Sequence, residues 1–124
     1  MTNDVRISEA ELDIMAILWA DAPLSAVDIA ALAPKSRDWS PTTVKTMLAR
    51  LVDKGAIGAE AQGRRFLYRP LIDRDPVVGA QAGRLVDRLF GGRVSPLVAH
   101  LAERRDLTED DLAELEALIR TLRK

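Results

Sequence analysis

Hydroxyls and cations recur on one side of a single stretch of this chain. Thr42, Lys45, Thr46, Ala49, Arg50 and Asp53 stand at offsets 0, 3, 4, 7, 8 and 11, and Thr43 borders them through Thr46 and Arg50. Read at helical spacing, these residues share one face. The other face, Val44, Met47, Leu48 and Leu51, follows i, i+3, i+4, i+7 and is wholly apolar. Short donors and acceptors near a helix start, with long cations behind them, suit the base edges and phosphates of a DNA major groove. The unpaired N–H groups at the helix start also favour a phosphate. An ordinary solvated helix face has the same pattern. Arg64 and Arg65 follow in a β-prone region. There they could grip phosphate or enter a minor groove, or simply solubilise a turn.

Other chemistries find little support. The chain contains no cysteine, which excludes disulfides, thiolate metal sites and cysteine nucleophiles and suits a reducing cytoplasm. Its single histidine, His100, sits inside a helical apolar pattern and reads as a core or surface residue. There is no HExxH, GxSxG or phosphate-cradling glycine loop. Glu109-Asp110-Asp111 falls in the first turn of a helix, where the dipole favours acids without any catalysis. The sequence predicts no enzyme, no catalytic residue, no metal and no cofactor. Without a run of about 18 apolar residues, and with a polar stretch from Met1 to Ile7, it predicts neither membrane insertion nor a secretory signal.

The net charge of −1 over 124 residues conceals a gradient. Residues 1–34 carry one Arg against six acids, a net of −5. Residues 35–74 carry nine Lys or Arg against four acids, a net of +5. Residues 75–124 carry eight against nine, a net of −1. A basic middle between acidic or neutral flanks is a local electrostatic footprint.

Several elements are needed to position the candidate face. Ser8-Glu9-Ala10-Glu11 has capping-box spacing and opens a first helix ending before Pro23. The stripe of that helix reads Leu12, Met15, Ala16 and Trp19, widened by Ile14 and Leu18. Ser25 with Asp28 opens a second, with Ala26, Ile29, Ala30 and Ala33 as small packing positions and Pro34 as the stop. Ser40-Pro41 starts the third helix, which runs to Lys54 with Gly55 as terminator. Two β-prone stretches follow, 56–61 and 65–70, with Gln62-Gly63 as a turn. Phe66 and Tyr68 are expected to pack this hairpin on the body, and Trp19 and Trp39 read as core or loop packing. Asp75-Pro76, Ser95-Pro96 and Thr108 with Asp111 start three more helices. Three helices followed directly by a hairpin predict a mainly α fold with a small β-hairpin wing, a winged helix-turn-helix over residues 1–74.

Residues 75–124 read as a helical dimerisation segment. Leu85, Val86, Leu89 and Phe90 form one apolar stripe, Leu97, Val98 and Leu101 a second, and Leu112, Leu115, Leu118, Ile119 and Leu122 a third. Three short helices cannot easily close a core alone. Pairing with the same segment of a second chain would bury the stripes; folding back on the winged helix is the alternative.

The chain resembles the BlaI/MecI penicillinase-repressor family, whose copper-responsive CopY members are relatives. The matching stretches are Ile7 to Glu11 with Met15 and Trp19, and Asp38-Trp39-Ser40-Pro41-Thr42-Thr43-Val44-Lys45-Thr46. Arg50-Leu51 to Lys54-Gly55, Arg65-Phe66-Leu67-Tyr68, Gly91-Gly92 and Asp106-Leu107-Thr108 complete them. The resemblance implies a bacterial, cytoplasmic homodimer that represses promoters by binding palindromic operator DNA. By position it implies base and phosphate contacts from Thr42, Thr43, Lys45, Thr46 and Arg50, with Arg65 in the wing; the reading of the residues themselves adds Ser40 and Arg64 to the expected DNA contacts. In the penicillinase repressors a membrane sensor protease triggers cutting at an Asn-Phe bond; in the frame of Asp106-Leu107, His100-Leu101 stands there instead. The cysteine cluster of the copper-responsive relatives is absent. A winged helix used only for protein contacts is the competing reading, and DNA binding discriminates the two.

Overall fold

A serine starts each of the first three helices. Ser8 Oγ accepts from the Glu11 N–H at 3.1 Å, and Glu11 Oε1 accepts from the Ser8 N–H at 2.9 Å, closing a capping box. Ser25 Oγ and Ser40 Oγ accept from the Asp28 and Thr43 N–H groups, each at 3.2 Å. In the computed structural model of the chain, which describes residues 6–124, these caps open α1 (Glu9–Ala20), α2 (Ala26–Leu32) and α3 (Pro41–Asp53). The hairpin follows as β1 (Ile57–Gln62) and β2 (Arg65–Pro70), then α4 (Arg74–Phe90), α5 (Val94–Glu103) and α6 (Glu109–Leu122).

The link from α3 to the hairpin is a tight helix stop. Gly55, at φ 79°, lets its N–H reach Val52 O at 3.0 Å while the Ala56 N–H reaches Leu51 O at 2.9 Å. This pair of bonds is a Schellman motif, and its left-handed position suits glycine because no Cβ meets the following carbonyl. Ala56 belongs to that cap, so the first strand begins one residue later than its pattern predicts. The turn accordingly falls at Gly63 and Arg64 rather than at Gln62 and Gly63. β1 and β2 pair antiparallel from Ile57 opposite Pro70 to Gln62 opposite Arg65.

The core joins α1, α2, α3 and the start of β1. Ile14, Met15, Leu18, Ile29, Val44, Leu48, Leu51 and Ile57 are fully buried, with Ile7, Ala26, Met47 and Ala56 around them. The four predicted anchors of α3 are all buried there. On α1 the buried set is Glu11, Ile14, Met15 and Leu18, one position ahead of the expected stripe; Leu12 and Trp19 are half-buried and Ala16 is exposed. The cause is Glu11, an acid on the core side that apolar patterning discounts. Its Oε1 also accepts from Lys54 Nζ at 2.6 Å, and Lys54 Nζ donates to Arg6 O at 2.7 Å. Burial pushes the Glu11 carboxyl up, but the Lys54 hydrogen bond, the Ser8 N–H and the Lys54 charge outweigh it. The result is a pKa below the usual carboxylate value. Trp19 Nε1–H donates to Ile72 O at 3.0 Å, tying α1 to the segment after the hairpin.

The chain divides into two compact units, one ending at Gly79 and the other covering Ala80–Lys124. In the second unit no residue of α5 or α6 is buried, nor is any residue of α4. Thr108 and Asp111 form the predicted capping box of α6. Ser95 does not cap α5: the glycine link at Gly91 and Gly92 leaves only Arg93 before the helix, so Arg93 is the cap residue and Ser95 lies in the first turn. α4 likewise starts one residue ahead of Asp75. The end of α5 has Schellman bonding like that of α3, with the Arg105 and Asp106 N–H groups reaching Ala102 O and Leu101 O, but a non-glycine residue, Arg105 at φ 63°, occupies the left-handed position.

Candidate nucleic-acid interface

α3 is held by its apolar face, and that fixes what its other face presents. With Val44, Met47, Leu48 and Leu51 buried, Thr42, Thr43, Lys45, Thr46, Ala49 and Arg50 are all exposed. The loop ahead of α3 is pinned as well. Arg37 Nε donates to Asp13 Oδ2 at 2.8 Å, and its guanidinium lies 5.5 Å from the Trp39 ring centroid. Behind α3, Lys54 ties its last turn to the start of α1.

Not every hydroxyl on this face is free to bond outward. Ser40 Oγ is occupied by capping and lies 3.1 Å from Thr43 Oγ1, and the Thr46 hydroxyl donates back to Thr42 O at 3.1 Å. The Thr42 side chain makes no such bond among the described residues. The cations separate more sharply. Arg37, Lys54, Arg69, Arg74 and Arg104 are each paired with an acid. Lys45, Arg50, Arg64 and Arg65 form no ion pair among the described residues, and all four are exposed. The four cations on and beside the α3 face thus keep their charge unneutralised by a neighbouring acid, which spacing alone does not reveal.

The hairpin carries its arginines to the edge of α3. Leu24 and Tyr68 exchange backbone bonds, Tyr68 N–H to Leu24 O at 2.8 Å and Leu24 N–H to Tyr68 O at 3.1 Å, which clamps β2 beside the start of α2. Lys45, Arg64 and Arg65 then line one cleft of about 450 Å³ together with Ser25, Ala26, Val27, Asp28, Phe66 and Tyr68. Tyr68 packs against the core as expected. Phe66 does not: it is 54% exposed, because the clamp at Tyr68 leaves the next outward residue beyond the body. Sequence reasoning missed Val27 and Phe66 as parts of this face. Their signal was displacement, since Val27 falls off the repeat of α2 and Phe66 lies beyond the last position the body can cover.

Three helices closed by a hairpin whose tip brings cations beside the third helix define a winged helix-turn-helix protein. The family model described as "Penicillinase repressor" matches residues 7–121, and the chain belongs to that family. It is 30% identical over 114 residues to the penicillinase repressor of Bacillus licheniformis, covering 92% of this chain and 89% of that protein. Among solved structures it is similar to the DNA binding domain of the repressor BlaI, at 38% identity and a TM-score of 0.52, covering 60% of this chain and 90% of that one. A MarR mutant from E. coli complexed with operator DNA shares the fold, at 21% identity and a TM-score of 0.50, covering 94% of this chain and 75% of the other.

Proposed function

We propose that this chain is a transcriptional repressor that binds promoter DNA as a homodimer. The observation that carries the reading is the set of unpaired, exposed cations Lys45, Arg50, Arg64 and Arg65 on and beside the α3 face, in a member of the penicillinase repressor family. Residues 1–74 form the DNA-binding part and residues 75–124 the dimerisation segment. Each protomer inserts α3 into a major groove, where Thr42, Thr43, Lys45, Thr46 and Arg50 meet base edges and near phosphates. Ser40 contributes chiefly by starting the helix, and the wing arginines hold flanking phosphate.

The apolar surface left by the second unit supports pairing. Leu85, Leu89, Leu112, Leu118, Ile119 and Leu122 are exposed, Leu122 to 74%. Phe90, Leu97, Leu101 and Leu115 are half-buried. A two-fold partner presenting the same residues would cover them. The dimer then excludes polymerase, and loss of the dimer contact frees the promoter. The repressor works in the cytoplasm, and no described helix is long and apolar enough to cross a membrane. A membrane sensor protease would have to act here on His100-Leu101, which lies within α5.

Titrating a labelled duplex from the gene's own upstream region against a scrambled duplex, at two salt concentrations, tests this reading. Tight, sequence-dependent binding that weakens steeply with salt is expected. Equal and weak binding to both duplexes, repeated after selection from a random-sequence pool, would favour a winged helix used for protein contacts.

A further inference from the structure

Phe66 is a large hydrocarbon side chain at the outer end of the wing, 54% exposed, and Val27, 62% exposed, faces the same cleft. Neither belongs to the buried core cluster. Phe66 lies on the face of β2 that carries Tyr68, two residues nearer the turn, so it projects past the point where Leu24 clamps the strand. The charged lining around the two is Lys45, Arg64 and Arg65 against one acid, Asp28. An apolar pair ringed by three cations is poorly suited to water and well suited to a polyanion with an apolar side.

We propose that Phe66, with Val27 beside it, packs on the sugar face of the DNA backbone strand whose phosphates Lys45, Arg64 and Arg65 neutralise. The proposal rests on the DNA-binding reading above and assigns a residue to it. Charge complementarity selects the occupant, because a DNA strand alternates anionic phosphates with apolar deoxyribose carbons at the spacing of neighbouring side chains. Deoxyribose has no 2′-hydroxyl to be desolvated against a phenyl ring, so the contact suits DNA better than RNA. The ring carries no charge and releases no counterions. Phe66 therefore adds affinity without adding to the salt dependence, whereas each cation adds to both.

That difference is the test. Wild type, Phe66→Ala, Phe66→Leu and Arg65→Ala are titrated, over a series of salt concentrations, with a duplex that the wild type selects from a random pool. Phe66→Ala should raise Kd roughly tenfold with the salt slope unchanged. Phe66→Leu should recover most of the loss, and the melting temperatures of both should equal that of wild type. Arg65→Ala should raise Kd and flatten the slope by about 1. An unchanged Kd for Phe66→Ala beside a weakened Arg65→Ala would overturn the proposal and leave the DNA reading standing. A fall in melting temperature large enough to explain the loss would overturn it too. Failure of the wild type to select or bind any duplex would overturn both.

Discussion

Replacing Lys54 by Ala should loosen the seat of α3 in the core. Lys54 Nζ lies 2.6 Å from Glu11 Oε1, and the Glu11 side chain is only 4% exposed while that of Lys54 is 35% exposed. Removing the lysine leaves a nearly buried carboxylate supported by the Ser8 N–H and little else. Stranding one member of a fully buried pair costs about 3–5 kcal/mol, and water access through the lysine side lowers the figure here to about 2 kcal/mol. For a unit of this size that is a fall in melting temperature of roughly 8–16 °C. The loss should also depend on pH. The Glu11 carboxyl titrates lower in the folded chain than in the unfolded one, so its anchor is fully stabilising above the ordinary carboxylate pKa. That contribution fades as pH falls through the lowered folded-state value. The gap between wild type and Lys54→Ala should therefore be widest near neutrality and shrink in acid. Thermal denaturation followed by circular dichroism at neutral and acidic pH, with Glu11→Gln and the double variant completing a cycle, measures it. A melting shift of under about 2 °C, or a gap that widens in acid, would refute the argument.

Three further outcomes are expected. Arg50→Ala should weaken binding to the selected operator by about 1–3 kcal/mol with the fold intact, and base substitutions in the operator should then discriminate less; undiminished binding in the titration would remove Arg50 from the interface. Leu118→Asp places a charge on a residue 53% exposed in the single chain, so it should leave the fold of one protomer alone and yield monomers in sedimentation, whereas a persistent dimer would exclude α6 from the contact. Arg105→Gly should stabilise the chain by about 1 kcal/mol in urea denaturation, because glycine holds the observed φ of 63° without the Cβ clash; no gain would mean the turn adopts another conformation in solution.

The parts of the fold legible in the sequence are those set by local rules. The serine caps at 8, 25 and 40, the apolar repeat of Val44, Met47, Leu48 and Leu51, and Gly55 act within one or two turns of helix, so spacing suffices to place them. The register of α1 was not legible, because Glu11 earns its buried place from Lys54, 43 positions away in the chain. The candidate face could be read as a face, but not as a set of unpaired charges. Which arginines are spent on Asp13, Glu60 or Asp106 depends on how the loops and strands meet. Phe66 was misjudged for a related reason: alternation assigns it a side of the strand but not how far the body extends beneath it. The one-residue shift of the hairpin arose where the helix cap and the strand both claim Ala56.

Whether a pair of these chains reads promoter DNA through α3 is decided by a methylation-protection and hydroxyl-radical footprint of the wild-type chain on its own upstream region. Two protected major-groove segments are expected on one face of the duplex, about 10 bp or a whole multiple of that apart, with the flanking backbone shielded by the wings. A single protected segment would contradict the paired arrangement, and an unprotected upstream region after operator selection has also failed would contradict the repressor reading itself.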